Sequence, residues 1–411
     1  MRLELLTIGT ELLLGFTVDS NGAEIARGLS ALGIRVVRRT SVGDDPESIR
    51  TAVSGALRRT GAVITTGGLG PTRDDITKKV VAGIFDSPLE FDEAVWQAVL
   101  ARYARVRRTP SASNRTQAEV PRGATILPNQ WGTAPGLWLE GKPGLVIMLP
   151  GVPREMRKLL HHEVLPRLAP RGGGGVIRSR TLRATGIAES SLGDLVGDLE
   201  DGLRPLTLAY LPGLEGIDLR LTAWNLPADE AESRLKLGIE RLRERAAQYV
   251  YGVEDEDLAG LVLERARARG WRLAVAESCT GGLLGGRITA IPGSSDVFQG
   301  GVIAYHDAVK VQDLGVPAET IRTHGAVSEE TAAAMARGVA ERFGTDLGIS
   351  ITGIAGPSGG TPEKPVGLVC FGAAVQGEIS TGHYVFPSSR NEVRARAAQA
   401  ALFHLLRRLE A

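Results

Sequence analysis

Three times along this chain a short apolar, strand-like run ends in a glycine-rich turn. Ala62–Thr66 leads into Gly67-Gly68-Leu69-Gly70-Pro71. Arg272–Ala276 leads into Glu277-Ser278-Cys279-Thr280-Gly281-Gly282, and Leu347–Ile351 into Thr352-Gly353-Ile354-Ala355-Gly356. After the first two turns a helical pattern begins, which makes each a strand–turn–helix unit. Repeated units of this kind imply a mostly parallel sheet covered by helices. The glycines let the backbone turn tightly and come close to a ligand.

With 411 residues the chain exceeds one ordinary core, so several domains are expected. Residues 1–170 alternate strand and helix patterns: Leu3–Ile8, a helix over Ser20–Leu32, Ile34–Arg38, a helix capped by Asp45-Pro46, Ala62–Thr66, a helix over Asp75–Phe85, then strands near Thr125–Leu127 and Leu145–Leu149. The run Arg171-Gly-Gly-Gly-Gly-Val176 reads as a linker or hinge. Residues 176–252 predict a small α+β unit in the order β-α-β-β-α, with a hairpin at Pro212-Gly213 and Gly216. No chemistry is evident in that unit, and a spacer or dimerisation module is the plain reading. Residues 255–411 predict a third, α/β unit that closes with a helix over Asn391–Leu409.

Composition excludes several classes. Lys+Arg 48 against Asp+Glu 47 leaves a formal charge of +1, so no global basic field favours nucleic acid. Two cysteines make a disulfide framework or structural zinc implausible. No apolar stretch approaches the ~20 residues that span a bilayer. The first residues read as a strand rather than a secretory signal. A cytoplasmic protein without membrane or nucleic-acid partners is expected.

In the first glycine turn, helix-start amides favour an anion, and Asp74-Asp75 beside it suggest Mg²⁺ or a similar ion shared with substrate oxygens. The alternative is that one aspartate only caps the helix. The Walker pattern is absent. In the second turn Ser278 stands at a sharp strand-to-helix junction, where amides at the helix start could hold an oxyanion or a phosphate. Small residues there equally make a phosphate cradle or a cap. The six histidines offer no evident base: His306 and His324 are nearest in sequence and show no acidic orienter. Tyr305 and Lys310 are the alternative pair, since a neutral lysine can take a serine proton and a tyrosine can relay it. On spacing alone they equally suit a half-buried strand tyrosine and an exposed helix lysine. An ordinary lysine is protonated at neutral pH, so a base role calls for burial or a neighbouring cation such as Arg390. Thr352 and Gly353 open a loop suited to phosphate or ribose, and Arg390 could pair with a phosphate.

Larger sets of residues add a resemblance. Gly9-Thr10-Glu11-Leu12-Leu13-Leu14-Gly15, Gly67–Asp75, Ser113-Asn114-Arg115 and Asn129–Gly136 together resemble the molybdopterin-binding fold, a three-layer α/β domain. Leu149–Met156 and Gly186–Ser190 narrow this to the competence-damage-inducible protein A (CinA) family, over essentially the whole chain. The resemblance implies an N-terminal domain that hydrolyses ADP-ribose to AMP and ribose 5-phosphate with a divalent metal. Gly67, Gly68, Gly70, Thr72 and Asn114 would then bind substrate, and Glu11, Asp74 and Asp75 the metal. One departure is Thr116, where family members carry a lysine after Asn-Arg. A non-catalytic pterin or nucleotide module is the other reading of this domain. From Ala276–Gly282, Pro292–Ser295, Ala304–Lys310, His324–Glu329, Gly353–Pro357 and Lys364–Gly367, the C-terminal domain is similar to nicotinamide-mononucleotide deamidases. That implies Ser278 as nucleophile, Lys310 and Tyr305 as its activators, and Thr280, Gly281, Gly282, Thr352, Gly353 and Arg390 as substrate contacts. No metal is implied for this half. The resemblance also leads us to expect a homodimer.

Overall fold

A computed structural model describes residues 1–410. It is a mixed α/β protein. In the N-terminal domain the strands are β1 (Arg2–Ile8), β2 (Arg35–Val42), β3 (Ala62–Thr66), β4 (Leu89–Phe91), β5 (Glu119–Pro121), β6 (Thr125–Leu127), β7 (Gly136–Gly141) and β8 (Gly144–Leu149). Six of them form one sheet in the order β2-β1-β3-β8-β7-β6, and β4 pairs with β5 apart from it. The first four are mutually parallel; β7 runs antiparallel to β8, and β6 antiparallel to β7. The sequence pattern predicts the strand at Thr125–Leu127 but not β7. Alternate side chains serve two cores. Leu3, Leu5, Ile64 and Ile147 meet Ile25, Leu29 and Leu159 on one face. Leu6, Ile8, Val63 and Val146 meet Ile49, Val53 and Val81 on the other. Burial on both faces explains why these strands read as continuous apolar runs.

In the glycine run after Arg171 the outer two glycines are closely packed. A Cβ on Gly172 would stand 2.5 Å from the Leu32 carbonyl oxygen, and one on Gly175 would stand 2.6 Å from Asn225 backbone carbon. Glycine is used here for close approach. The middle domain then contributes β9 (Val176–Ala184), β10 (Thr207–Pro212), β11 (Ile217–Leu226) and β12 (Val250–Val253), in the order β10-β11-β9-β12. The short β12, absent from the sequence reading, pairs antiparallel with β9.

The C-terminal domain holds β13 (Leu273–Glu277), β14 (Phe298–Ile303), β15 (Leu347–Gly353), β16 (Leu368–Val375) and β17 (Glu378–Val385), in the order β14-β13-β15-β16-β17. The first three are parallel; β16 and β17 continue as an antiparallel hairpin. One face packs on the helices Leu258–Ala268 and Arg390–Glu410. The other is lined by Ala274 and Ala276, which face Met335 and Val339 of the helix Glu329–Phe343. No described helix is long and apolar enough to cross a membrane.

Candidate functional site

Register in the C-terminal sheet sets Ile303, Glu277 and Ile351 level across β14, β13 and β15. Ala304-Tyr305 and Ser278 leave the sheet just beyond this level, while Thr352 stands there as the next residue of β15, still paired with Cys370 of β16. Two further backbone bonds tie these exits together, Ser278 N to Ile351 O at 2.9 Å and Ala304 N to Glu277 O at 2.7 Å. Ligands of open α/β sheets bind outside the carboxyl ends of parallel strands, and this edge is such a place.

Around Ser278, which is 8% exposed, the turn is held from two sides. Glu277, fully buried, accepts the amides of Gly282 at 3.0 Å, Leu284 at 3.1 Å and Gly285 at 2.8 Å. These are the helix-start donors expected to meet an oxyanion or a phosphate. The chain's own carboxylate occupies them instead, and the Gly282 amide is removed from the substrate contacts. From the other side Arg394 donates to Cys279 O at 3.2 Å and Thr280 O at 2.8 Å. Thr280 is fully buried, and its Oγ1 has no hydrogen-bond partner among the described residues. Burial pushes the Cys279 thiol up to about 12, which keeps it protonated at neutral pH.

Tyr305 is 62% exposed, beyond the end of β14 rather than on a strand. Its hydroxyl accepts from Arg390 at 3.1 Å, and Arg390 also donates to Gly356 O at 2.7 Å. Lys310 lies on the helix Asp307–Leu314, yet is only 1% exposed, against the exposed lysine that spacing allowed. Its ammonium donates to Asp307 Oδ1 at 3.1 Å and Tyr305 O at 3.5 Å. Its neighbour is thus a carboxylate, and the cation Arg390 is engaged with Tyr305. Thr352 is buried and donates to Ala326 O at 2.7 Å, so its proton is committed. Gly353 is a packing glycine: a Cβ there would stand 2.8 Å from Leu368 O and 3.0 Å from Cys279 Sγ. His306 caps its helix by accepting the Ala308 amide, and His324 sits 3.3 Å from Glu330, an acidic partner that the sequence did not reveal.

In the N-terminal domain the Gly67–Asp75 turn leaves β3 beside the exit of β1. Gly67 and Gly68 have φ of 110° and 67°, and their missing Cβ atoms would meet Ile8 O and Thr77 Oγ1 at 2.1 Å. No side chain fits either place. Asp75 accepts from Thr72 N at 2.9 Å and Thr72 Oγ1 at 2.5 Å, which makes both residues parts of the turn. Gly70 lies close beside them: a Cβ there would stand 2.4 Å from the Asp75 carboxylate and would displace it. Among the described residues no three His, Cys, Asp or Glu side chains gather as a metal site. Glu11, Asp74 and Asp75 therefore form no metal cage; exposed Glu11 and Asp74 fit only an ion shared with substrate oxygens. Asn114 is buried and spent locally, accepting from Ser111 N and Ser111 Oγ at 2.9 Å and donating to Gln117 at 3.1 Å. It orders its own turn. A residue missed entirely is Lys78, 6% exposed, whose ammonium donates to the Thr116 carbonyl and whose burial brings its pKa down to about 8. The segment that lacks the expected lysine thus meets a cation from a neighbouring helix.

Residues 4–170 match the family described as "Probable molybdopterin binding domain", residues 179–252 the damage-inducible protein CinA KH domain, and residues 255–409 the CinA C-terminal domain. A CinA-like protein of Gemmatimonas aurantiaca is 56% identical over 411 residues, covering 99% of this chain and 96% of its own. The chain belongs to the CinA family. A second CinA-like protein, from Parasynechococcus marenigrum, is 46% identical and covers 99% of this chain and 98% of its own. The crystal structure of the competence/damage inducible protein CihA from Agrobacterium tumefaciens is 37% identical over 39% of this chain and 100% of its own, with a TM-score of 0.36. For this CinA-family chain the middle unit is thus KH-like, a more specific description than the spacer its strand pattern suggested. Glu277, Asp307 and Arg394 were the site-holding residues not found from sequence. A weak signal existed for Arg394, which follows Arg390 by one helical turn and so shares its face.

Proposed function

We propose that the C-terminal domain hydrolyses nicotinamide mononucleotide to nicotinate mononucleotide and ammonia. Ser278 Oγ attacks the carboxamide carbon, and its proton passes to Lys310 Nζ, with Tyr305 as relay to the leaving nitrogen. Ammonia departs with that proton, and water then cleaves the acyl-enzyme to restore Ser278. Arg390 and the Thr280 hydroxyl contact the nucleotide. The observation that carries this reading is the convergence of Ser278, Tyr305 and Thr352 on one edge of three paired strands, with buried Lys310 bonded to the Tyr305 carbonyl. Family membership supports an enzyme at this site without naming its substrate. Incubation with nicotinamide mononucleotide, with ammonia and the acid product both assayed, is the test; absence of both products overturns the reading.

A second activity is proposed for the N-terminal domain: binding of ADP-ribose and its hydrolysis to AMP and ribose 5-phosphate with a divalent ion. The favouring observation is that Glu11 and Asp74, both exposed, follow the ends of the adjacent parallel strands β1 and β3 beside the glycine turn. An ion bound there would neutralise diphosphate charge. AMP release that depends on added Mg²⁺ or Mn²⁺ supports this reading. Binding without release reduces the domain to a nucleotide-binding module.

A further inference from the structure

A cavity of about 600 Å³ opens in the N-terminal domain between the helix Glu93–Arg105 and the loop that runs from Pro128 to Pro135. That volume lies within the ~300–1,000 Å³ of small-molecule sites. Ala94, Ala98 and Val99 line it on the helix side and Ile126 and Trp131 opposite, with Asp92, Arg102 and Arg105 among its polar groups. No role described above uses these residues.

The loop is held rigidly. Asn129 Oδ1 accepts the amides of Trp131 and Gly132, both at 2.9 Å, while its Nδ2 donates to Ala134 O at 2.8 Å and Glu155 Oε2 at 2.7 Å. Arg102 donates to Gln130 O at 3.1 Å and Trp131 O at 2.6 Å. The Trp131 ring stacks on His162, with centroids 5.1 Å apart and planes 22° from parallel. An aromatic wall fixed in this way is a pre-formed surface for a flat ring.

Position in the sheet narrows the ligand. The loop enters β7, which pairs with β8, and β8 pairs with β3. It therefore stands at the same edge as the Gly67–Asp75 turn, two strand spacings away, or roughly 10 Å. The exit of β8 bridges the two: a Cβ on Gly151 would lie 3.4 Å from Gly67 Cα, and Glu155 bonds Asn129. A cavity with an aromatic wall and hydrogen-bonding groups, about that far from a glycine-rich anion turn, matches the base and phosphates of a nucleotide. We propose that this cavity receives the heteroaromatic base of a nucleotide whose phosphates lie at Gly67–Gly70, an inference that rests on the nucleotide-binding reading of this domain.

The test uses the full chain and calorimetry with AMP and with ribose 5-phosphate, which shares the phosphate and lacks the base. Ala98 is exposed on the cavity wall, so Ala98→Phe fills the space without entering the core; Ala94→Leu is a second filled variant. Both, and Trp131→Ala, should weaken AMP at least tenfold and leave ribose 5-phosphate within twofold, with unchanged melting temperature and deamidation. Wild-type affinity for AMP in folded Ala98→Phe overturns the proposal, as does a wild type that binds AMP no better than ribose 5-phosphate. If the cavity variants lose AMP but wild type never cleaves ADP-ribose, the hydrolytic reading falls and the base site stands. If Ala98→Phe cleaves ADP-ribose at the wild-type rate, the base site falls and hydrolysis stands.

Discussion

The Glu277 carboxylate accepts the Gly285 backbone amide at 2.8 Å, eight residues ahead of it, and so caps the helix that follows the proposed nucleophile. Two more amides of the same turn share this acceptor. Glu277→Ala should leave three buried donors unpaired and lower stability by about 2–4 kcal/mol. Glu277→Gln, which keeps an acceptor but loses the charge, should cost less. Urea unfolding of both variants measures the difference. Equal stability of wild type and Glu277→Ala would mean that water reaches these amides.

Ser278→Ala should abolish ammonia release and leave affinity for nicotinamide mononucleotide within a few-fold, because the contacts proposed for phosphate and ribose lie elsewhere. Initial rates and equilibrium binding separate the two effects. Turnover near the wild-type level would point to directly activated water in place of an acyl-enzyme.

Lys310→Arg keeps a positive charge, but a guanidinium does not deprotonate in the working range. If Lys310 accepts the serine proton, Lys310→Arg should be as inactive as Lys310→Ala, each losing about 10²–10⁴-fold in kcat. Asp307→Asn weakens the contact at 3.1 Å that holds the Lys310 side chain in place and should lower kcat less than either Lys310 variant. A near-normal rate in Lys310→Arg reduces Lys310 to an electrostatic anchor.

Lys78 carries the clearest pH signature. Burial lowers it from 10.5 to about 8, so between those values the unfolded chain holds a proton that the folded chain has released. Stability should therefore rise with pH across this window; the cost of the buried charge is fully present below pH ~8. Relative to Lys78→Met, the wild type should gain roughly 3 kcal/mol between pH 8 and 10.5. Unfolding of residues 1–170 at pH 7, 9 and 10.5 checks this, and a constant difference would count against it.

A fragment of residues 255–411 keeps every proposed group of the deamidase site, all of which follow Glu277. It loses Glu215, whose carboxylate lies 3.4 Å from Arg287 and whose carbonyl accepts from buried Gln399 at 2.7 Å. It also loses the Val250 carbonyl that holds Arg407 at 2.7 Å. The fragment should deamidate with an unchanged KM and melt at a lower temperature, by about 1–3 kcal/mol of stability. A folded but inactive fragment would bring the middle domain into the site.

Local sequence was enough to place most strands and helices, because strands buried on both faces must be continuously apolar and amphipathic helices must repeat near 3.6 residues. It also located the glycine turns, since residues such as Gly67 and Gly68 stand where a Cβ has no room. What it could not decide was how each polar group is spent. Thr72 and Asp75 close a turn on each other, Asn114 bonds Ser111 and Gln117, and Glu277 takes the amides expected to be free. Such assignments depend on angles and distances of a few ångströms that residue order does not encode. The same holds for partners far apart in the chain. Arg394 reaches the Cys279 and Thr280 carbonyls, and Lys78 reaches Thr116, only because sheet order brings their elements together. Sequence determined the residue types at the strand ends; the packing of helices against the sheets decided which of them remain available for chemistry.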